Sequence, residues 1–191
     1  ALSESLDHIG PLARSVADCV AILGIIAGHD PNDPTSLIEP VPDYLAEIEQ
    51  PPNAMVVGFD EAYCSDGVDS QITAMIFEAV EVLRQQGIEI RPVTVPVMEE
   101  MVTGWEKFCG VETAIFHEEF YPARKEKYGP VLSGLIEIGR KTTGMEYAKL
   151  QIGRQKYAGR LAMLFQDIDC FFSPALPYLT PTLEFMDDVC A

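Results

Sequence analysis

A chain of 191 residues with 48% hydrophobic residues and a mean hydropathy of +0.09 carries enough apolar material for a buried core, which excludes a disordered segment. Its formal net charge of −17 repels phosphate backbones and anionic bilayers, so nucleic acids and membrane surfaces are excluded as partners. No apolar run approaches the ~20 residues of a spanning helix, and no basic-then-apolar leader opens the sequence.

In chain order, residues 15–27 read as a helix. Ser15 and Asp18 form a capping pair, and Val16, Cys19, Val20, Leu23 and Ile26 recur at helical spacing. Gly28 stops it, and a loop rich in Asp, Asn and Pro follows over residues 29–42. A short helix over 43–49 ends before Pro51 and Pro52. Residues 55–59 are a short apolar run, read as a buried strand. Residues 69–86 then form a helix with Ile72, Met75, Ile76, Ala79, Val80 and Leu83 on one face, closed by Gly87. Ile88, Ile90, Val93 and Val95 sit at mostly alternating positions. Strand, helix and strand in this order predict a βαβ unit with parallel strands.

The pattern next predicts one long helix over 98–120, with Val102, Trp105, Phe108 and Cys109 inward, broken by Pro122. A shorter helix over 131–138 starts on Pro130. Thr143 and Glu146 form a capping box that opens a helix to about residue 166, with Leu150, Tyr157, Leu161 and Phe165 among its apolar positions. Residues 168–172 are a last buried strand, and 173–177 a proline-rich turn. The fold class is therefore α/β, with the βαβ unit as a peripheral part of a larger sheet.

Site chemistry is sparse. No Gly-x-Ser-x-Gly elbow occurs. Cys64 has an exposed-looking context, but Asp60, Glu61 and Asp66 surround it, whereas a reactive thiolate needs an electropositive site. Ser133 beside Gly134 reads as structural. His117-Glu118-Glu119 does not continue into a zinc-binding HExxH, because position 121 is Tyr. His29, Asp30 and Asp33 are read as turn formers rather than metal ligands, and His8 as a packing residue. The glycines at 24 and 28 fit no phosphate loop. No metal site and no cofactor are expected. The five cysteines, at 19, 64, 109, 170 and 190, are odd in number and lack CxxC spacing. They are expected to be reduced, as in a cytoplasmic protein.

The most specific stretch is Ser5-Leu6-Asp7-His8-Ile9-Gly10-Pro11 with Ala13-Arg14-Ser15-Val16-Ala17-Asp18, followed by Gly28-His29-Asp30-Pro31-Asn32-Asp33-Pro34-Thr35-Ser36. Together with Asp169-Cys170-Phe171-Phe172-Ser173-Pro174-Ala175-Leu176-Pro177, it resembles the amidase signature family. The resemblance implies part of that family's mixed-sheet α/β fold, and a carboxamide hydrolase acting through a Ser–cis-Ser–Lys triad. It implies no catalytic residue here. No Gly-Gly-Ser-Ser-like run occurs, and the lysines at 107, 125, 127, 141, 149 and 156 match nothing in the triad. The chain is expected to be an interior piece of one amidase domain, inactive alone. Its parts would be 1–54 (helix and loop after the catalytic core), 55–95 (βαβ unit), 96–167 (helical region) and 168–191 (late strand and turn).

The helix after Pro96 lies, in similar proteins, near the acyl side of the substrate. Trp105, Phe108 and Glu112 are therefore the candidate substrate-pocket residues, against the alternative that Trp105 and Phe108 are ordinary core. The expected partner is a small-molecule amide bound by the full-length protein. Self-association is expected if a sheet face is left uncovered. Two alternatives stand beside this reading: the amidase subunit of a tRNA-dependent amidotransferase, and a non-catalytic α/β interaction domain.

Overall fold

The computed structural model describes residues 2–50 and 54–190, without the side chains at 187, 189 and 190. It divides into two compact units, His8–Asn53 and a larger unit formed by Ala1–Asp7 with Ala54–Ala191.

In the smaller unit, α1 (Val16–Ile26) starts on Ser15, whose hydroxyl accepts from Asp18 N at 3.1 Å. Gly28 follows it at φ +133°, a conformation open to glycine. The loop is closed by its own side chains. Asp30 accepts from Asn32 N at 2.9 Å, Asp33 accepts from Thr35 N at 2.8 Å, and Ser36 Oγ donates to Asp33 O at 2.8 Å. The hydrogen bond from the Thr35 hydroxyl, then that from its backbone, hold the Asp33 carboxyl below the usual range. These are the turns expected of this sequence. Asp43 caps α2 (Tyr44–Glu47) by accepting from Ala46 N at 3.1 Å. No described residue of 8–50 is buried, and Ile9, Leu12, Ile25, Leu37 and Ile38 are 76–99% exposed.

In the larger unit, β1 (Val56–Phe59), α3 (Ser70–Gln85) and β2 (Glu89–Pro92) make the expected βαβ unit. The strands are parallel, from Val56 opposite Glu89 to Phe59 opposite Pro92. Asp69 caps α3 by accepting from Gln71 N at 2.8 Å, and Gly87 at φ +83° ends the turn after it. On the other side of β1 lies β3 (Cys170–Phe171), also parallel, giving the order β2-β1-β3. This last strand is shorter than expected; around it, Asp169 N donates to Val56 O at 2.9 Å and Phe172 N to Gly58 O at 3.0 Å. Phe59, Cys64 and Val80 form a core against the sheet, with Ile76, Ile90 and Phe172 around it. Cys64 is fully buried, not exposed as its acidic neighbours suggest. Asp60, at the end of β1, braces this region, accepting from Tyr63 N at 3.0 Å and Val95 N at 2.7 Å.

The expected long helix over 98–120 is two helices, α4 (Glu99–Thr103) and α5 (Trp105–Phe116), joined at Gly104. A Cβ at Gly104 would overlap the Leu150 side chain, so close packing reserves this junction for glycine. Pro122 does not break a helix. It lies in the first turn of α6 (Tyr121–Arg124), where its missing N–H costs nothing. A 3-10 turn at Lys125–Lys127 leads to α7 (Pro130–Lys141), with proline at its start as expected. Thr143 and Glu146 complete a capping box that opens α8 (Gly144–Leu164). Helices α5 and α7 cross at Gly110 and Gly139, where a Cβ on Gly139 would overlap the Gly110 carbonyl. The last helix is α9 (Leu183–Cys190).

Candidate functional site

The site is assembled on α5 and α8 around the turn formed by residues 3–7. That turn is closed by Leu6 N and Asp7 N donating to Ser3 O at 3.0 and 2.8 Å. Asp7 accepts from Leu2 N at 2.6 Å and Ser3 N at 3.2 Å. From α5, the buried Thr113 hydroxyl lies 2.6 Å from Leu2 O and 2.8 Å from Cys109 O, a shared donor linking the turn to the helix.

Glu112 is the hub. Its Oε2 accepts from Ser3 Oγ at 2.7 Å and Ser5 N at 2.8 Å. Its Oε1 accepts from Ser5 Oγ at 2.6 Å and from the Tyr147 hydroxyl of α8 at 2.8 Å. Burial pushes this carboxyl up, but the bonds from Ser5, Ser3 and Tyr147 outweigh it and hold the group below the usual carboxylate range. Burial raises the Tyr147 phenol, and the Glu112 carboxylate raises it further. Arg154, two turns along α8 from Tyr147, donates from Nη1 to Ser5 Oγ at 2.9 Å and from Nη2 to Ser5 O at 2.8 Å. Its guanidinium lies 5.6 Å from the centre of the Phe108 ring.

Beside this network runs an apolar groove of about 520 Å³. It is lined by Leu6, Tyr63, Pro96, Val97, Met98, Met101, Val102, Trp105, Phe108, Arg154 and Tyr157. Trp105 and Phe108, three residues apart on α5, share its wall. Phe108 is buried, whereas Trp105 is 52% and Val102 73% exposed, so those two face the groove rather than the core that their spacing predicts. Glu112, one turn beyond Phe108, is not in the lining; it holds Ser3 and Ser5. No local pattern points to a site role for Ser3, Tyr147 or Arg154, whose partners in this network lie 35–149 residues away along the chain.

Other chemistry-bearing groups are engaged elsewhere. Lys107 pairs with Glu146 at 2.6 Å; hydrogen bonds from Lys107 and then Thr143 hold the Glu146 carboxyl down at about 2. Lys125 and the Tyr121 hydroxyl both donate to Glu137, at 2.9 and 3.0 Å. Burial pushes the Cys64 thiol up, and Asp60 adds to this; burial raises Cys109, with Glu112 and Asp7 adding to it. Neither thiol is poised as a thiolate nucleophile. Cys19, Cys64, Cys109 and Cys170 are free thiols; the Cys190 side chain lies outside the described residues. Among the described residues, no group of three His, Cys, Asp or Glu could hold a metal ion, and no helix is long and apolar enough to cross a membrane.

A family model described as Amidase matches residues 1–189. A Mycobacterium tuberculosis protein that carries the name amidase AmiD is 36% identical over 185 residues, which are 97% of this chain and 38% of that protein. An amidase of Pseudomonas putida is 32% identical over 92% of this chain and 38% of its own length. A glutamyl-tRNA(Gln) amidotransferase subunit of Pseudomonas aeruginosa is 37% identical over 93% of this chain and 42% of its own. The chain thus spans about two-fifths of the length of these relatives. Among solved structures, a chain from a vestigial protein complex linked to the origins of an s-triazine catabolic enzyme superposes with TM-score 0.82 at 22% identity, covering 95% of this chain and 39% of its own. A bacterial aryl acylamidase of the amidase signature family superposes with TM-score 0.78 at 19% identity, covering 89% and 36%. These two likenesses concern the fold.

Proposed function

We propose, from the premise that this chain belongs to the amidase family, that it is a segment of an enzyme hydrolysing a small carboxamide to a carboxylate and ammonia or an amine. The family match over residues 1–189 carries this reading. In it, the groove beside Trp105 and Phe108 receives one side of the amide, and Glu112 supports that wall from behind. The reacting groups come from outside these 191 residues, as the resemblance to Ser–cis-Ser–Lys enzymes implies. Amide hydrolysis needs an activated nucleophile and donors preorganised for the oxyanion. A lysine acting as base must also be neutral. Lys107 and Lys125 are instead paired with carboxylates, and the Lys125 ammonium is held above its usual value, chiefly by Glu137. The chain alone is then inactive.

A second reading is favoured by the 37% identity to the amidotransferase protein of Pseudomonas aeruginosa: the protein would serve as the amidase component of such an assembly. In either case the site works in the cytoplasm on a small amide, without nucleic acid or membrane bound to this acidic segment. The test is ammonia release from aliphatic and aromatic amides. The full-length protein is expected to release it and the 191-residue chain to release none. Release by the short chain at the full-length rate would overturn the assignment of the reacting groups. Release by the full-length protein only with tRNA and partner proteins would favour the second reading.

A further inference from the structure

We propose that Arg154 is a specificity-determining residue: it selects amides that carry a carboxylate on the part of the molecule seated beside Trp105. The proposal rests on reading the groove as the place for one side of the amide.

Arg154 is the charged residue of a lining that is otherwise apolar or tyrosine, with no Asp or Glu in it. A cation set into such a wall calls for a carboxylate. Among the described residues Arg154 has none: it forms no ion pair. Glu112, the acid of the adjoining network, gives both its oxygens to Ser3, Ser5 and Tyr147. What holds Arg154 is uncharged. Nη1 and Nη2 donate to the Ser5 hydroxyl and carbonyl, at 2.9 and 2.8 Å, and the guanidinium lies over the Phe108 ring. A guanidinium has more N–H donors than these two bonds use. Nε–H and the second hydrogen of each terminal nitrogen have no partner among the described residues. The charge is therefore fixed in place with donors unspent, so little ordering remains to be done when a ligand arrives. A carboxylate meeting these donors makes charge-assisted hydrogen bonds, and the apolar wall partly shields them from water. A neutral alkyl end in the same place leaves the donors desolvated and unmatched, and an ammonium is repelled. The net charge of −17 opposes any anion at a distance. That field is screened over ~8 Å at physiological ionic strength, so the local contact decides.

The test measures ammonia release by the full-length protein at neutral pH from pairs of amides of equal shape. Each pair sets a monoamide of a dicarboxylic acid against the same chain ending in an isopropyl group: succinamate with 4-methylpentanamide, glutaramate with 5-methylhexanamide, adipamate with 6-methylheptanamide. The series varies the reach from the reacting carbonyl to Arg154. At the best-fitting length the acid is expected to show a KM at least about ten-fold below that of its isostere, as a charge-assisted hydrogen bond supplies. The difference should fall on KM rather than kcat, because a contact remote from the reacting bond is made equally in ground and transition states. Arg154→Gln should bring the two KM values within about three-fold of each other. Arg154→Lys keeps the charge but loses the planar fork held by Ser5. It should leave a reduced preference for the acid, and it covers the case in which Arg154→Gln fails to fold. Equal KM values at every length in the parent protein, or lower ones for the isosteres, overturn the proposal and leave the amidase reading standing. A preference for the acid that persists undiminished in the folded variants overturns the assignment to Arg154. Hydrolysis of neither class overturns the amidase reading, and the proposal falls with it.

Discussion

Glu112 shows how one carboxylate can organise residues from three parts of the chain. Replacing it with alanine leaves the Ser3 and Ser5 donors and the Tyr147 hydroxyl without their acceptor, at a cost of about 2 kcal/mol or more. Its acid behaviour follows from the depressed folded value. Such a carboxylate contributes stability that is complete above the ordinary glutamate range and is lost as pH falls through the folded value. Urea midpoints of parent and Glu112→Gln should therefore lie far apart at neutral pH and converge in acid below the glutamate range. A gap that stays constant with pH would contradict the role given to this group. Little of this is legible in the sequence. Glu112 stands out there only as a pocket residue, and nothing local links it to Ser5, 107 residues away. Cys64 misleads for the same reason: its acidic sequence neighbours look exposed, while Phe59, Val80 and Phe172 enclose the thiol.

Among the elements, those whose causes are local are legible. The capping residues Ser15 and Thr143 and the apolar faces specify α1, α3 and α8, and the alternation after Gly87 specifies the parallel β1–β2 pair. The packing that reserves position 104 for glycine is not legible, because the Leu150 side chain lies on another helix. Nor is the outward turn of Val102 and Trp105, because helical spacing does not say whether a face meets a core or a groove. Two glycines of α7 provide a paired test. Gly139→Ala drives a methyl group into the Gly110 backbone and should destabilise by about 3 kcal/mol, at the upper end of overpacking effects. Gly134→Ala, with nothing within 4 Å of the added carbon, should stabilise by ~0.5–1 kcal/mol through helix propensity. Denaturant midpoints that moved in the same direction for both would refute this account of the α5–α7 crossing.

At the scale of the whole molecule, charge and apolar exposure oppose each other. The smaller unit has no buried residue among those described and presents Ile9, Leu12, Leu37 and Ile38. The sheet of the larger unit has β2 and β3 as its outer strands, an arrangement open to further pairing. The isolated chain should therefore self-associate, and more strongly as salt screens its net charge of −17. Sedimentation velocity checks this; a single monomeric species at all salt and protein concentrations would refute it. The connectivity also has a consequence for biosynthesis. Ser5 belongs with Arg154, 149 residues later, while the unit His8–Asn53 is finished in between. At ~5–20 residues per second, the turn at residues 3–7 leaves the ribosome roughly seven to thirty seconds before its anchors on α8 exist. During that interval the turn is unanchored, and its capture is a late loop closure over a long stretch of chain. Slow codons between Gly28 and Arg154 would lengthen that exposure.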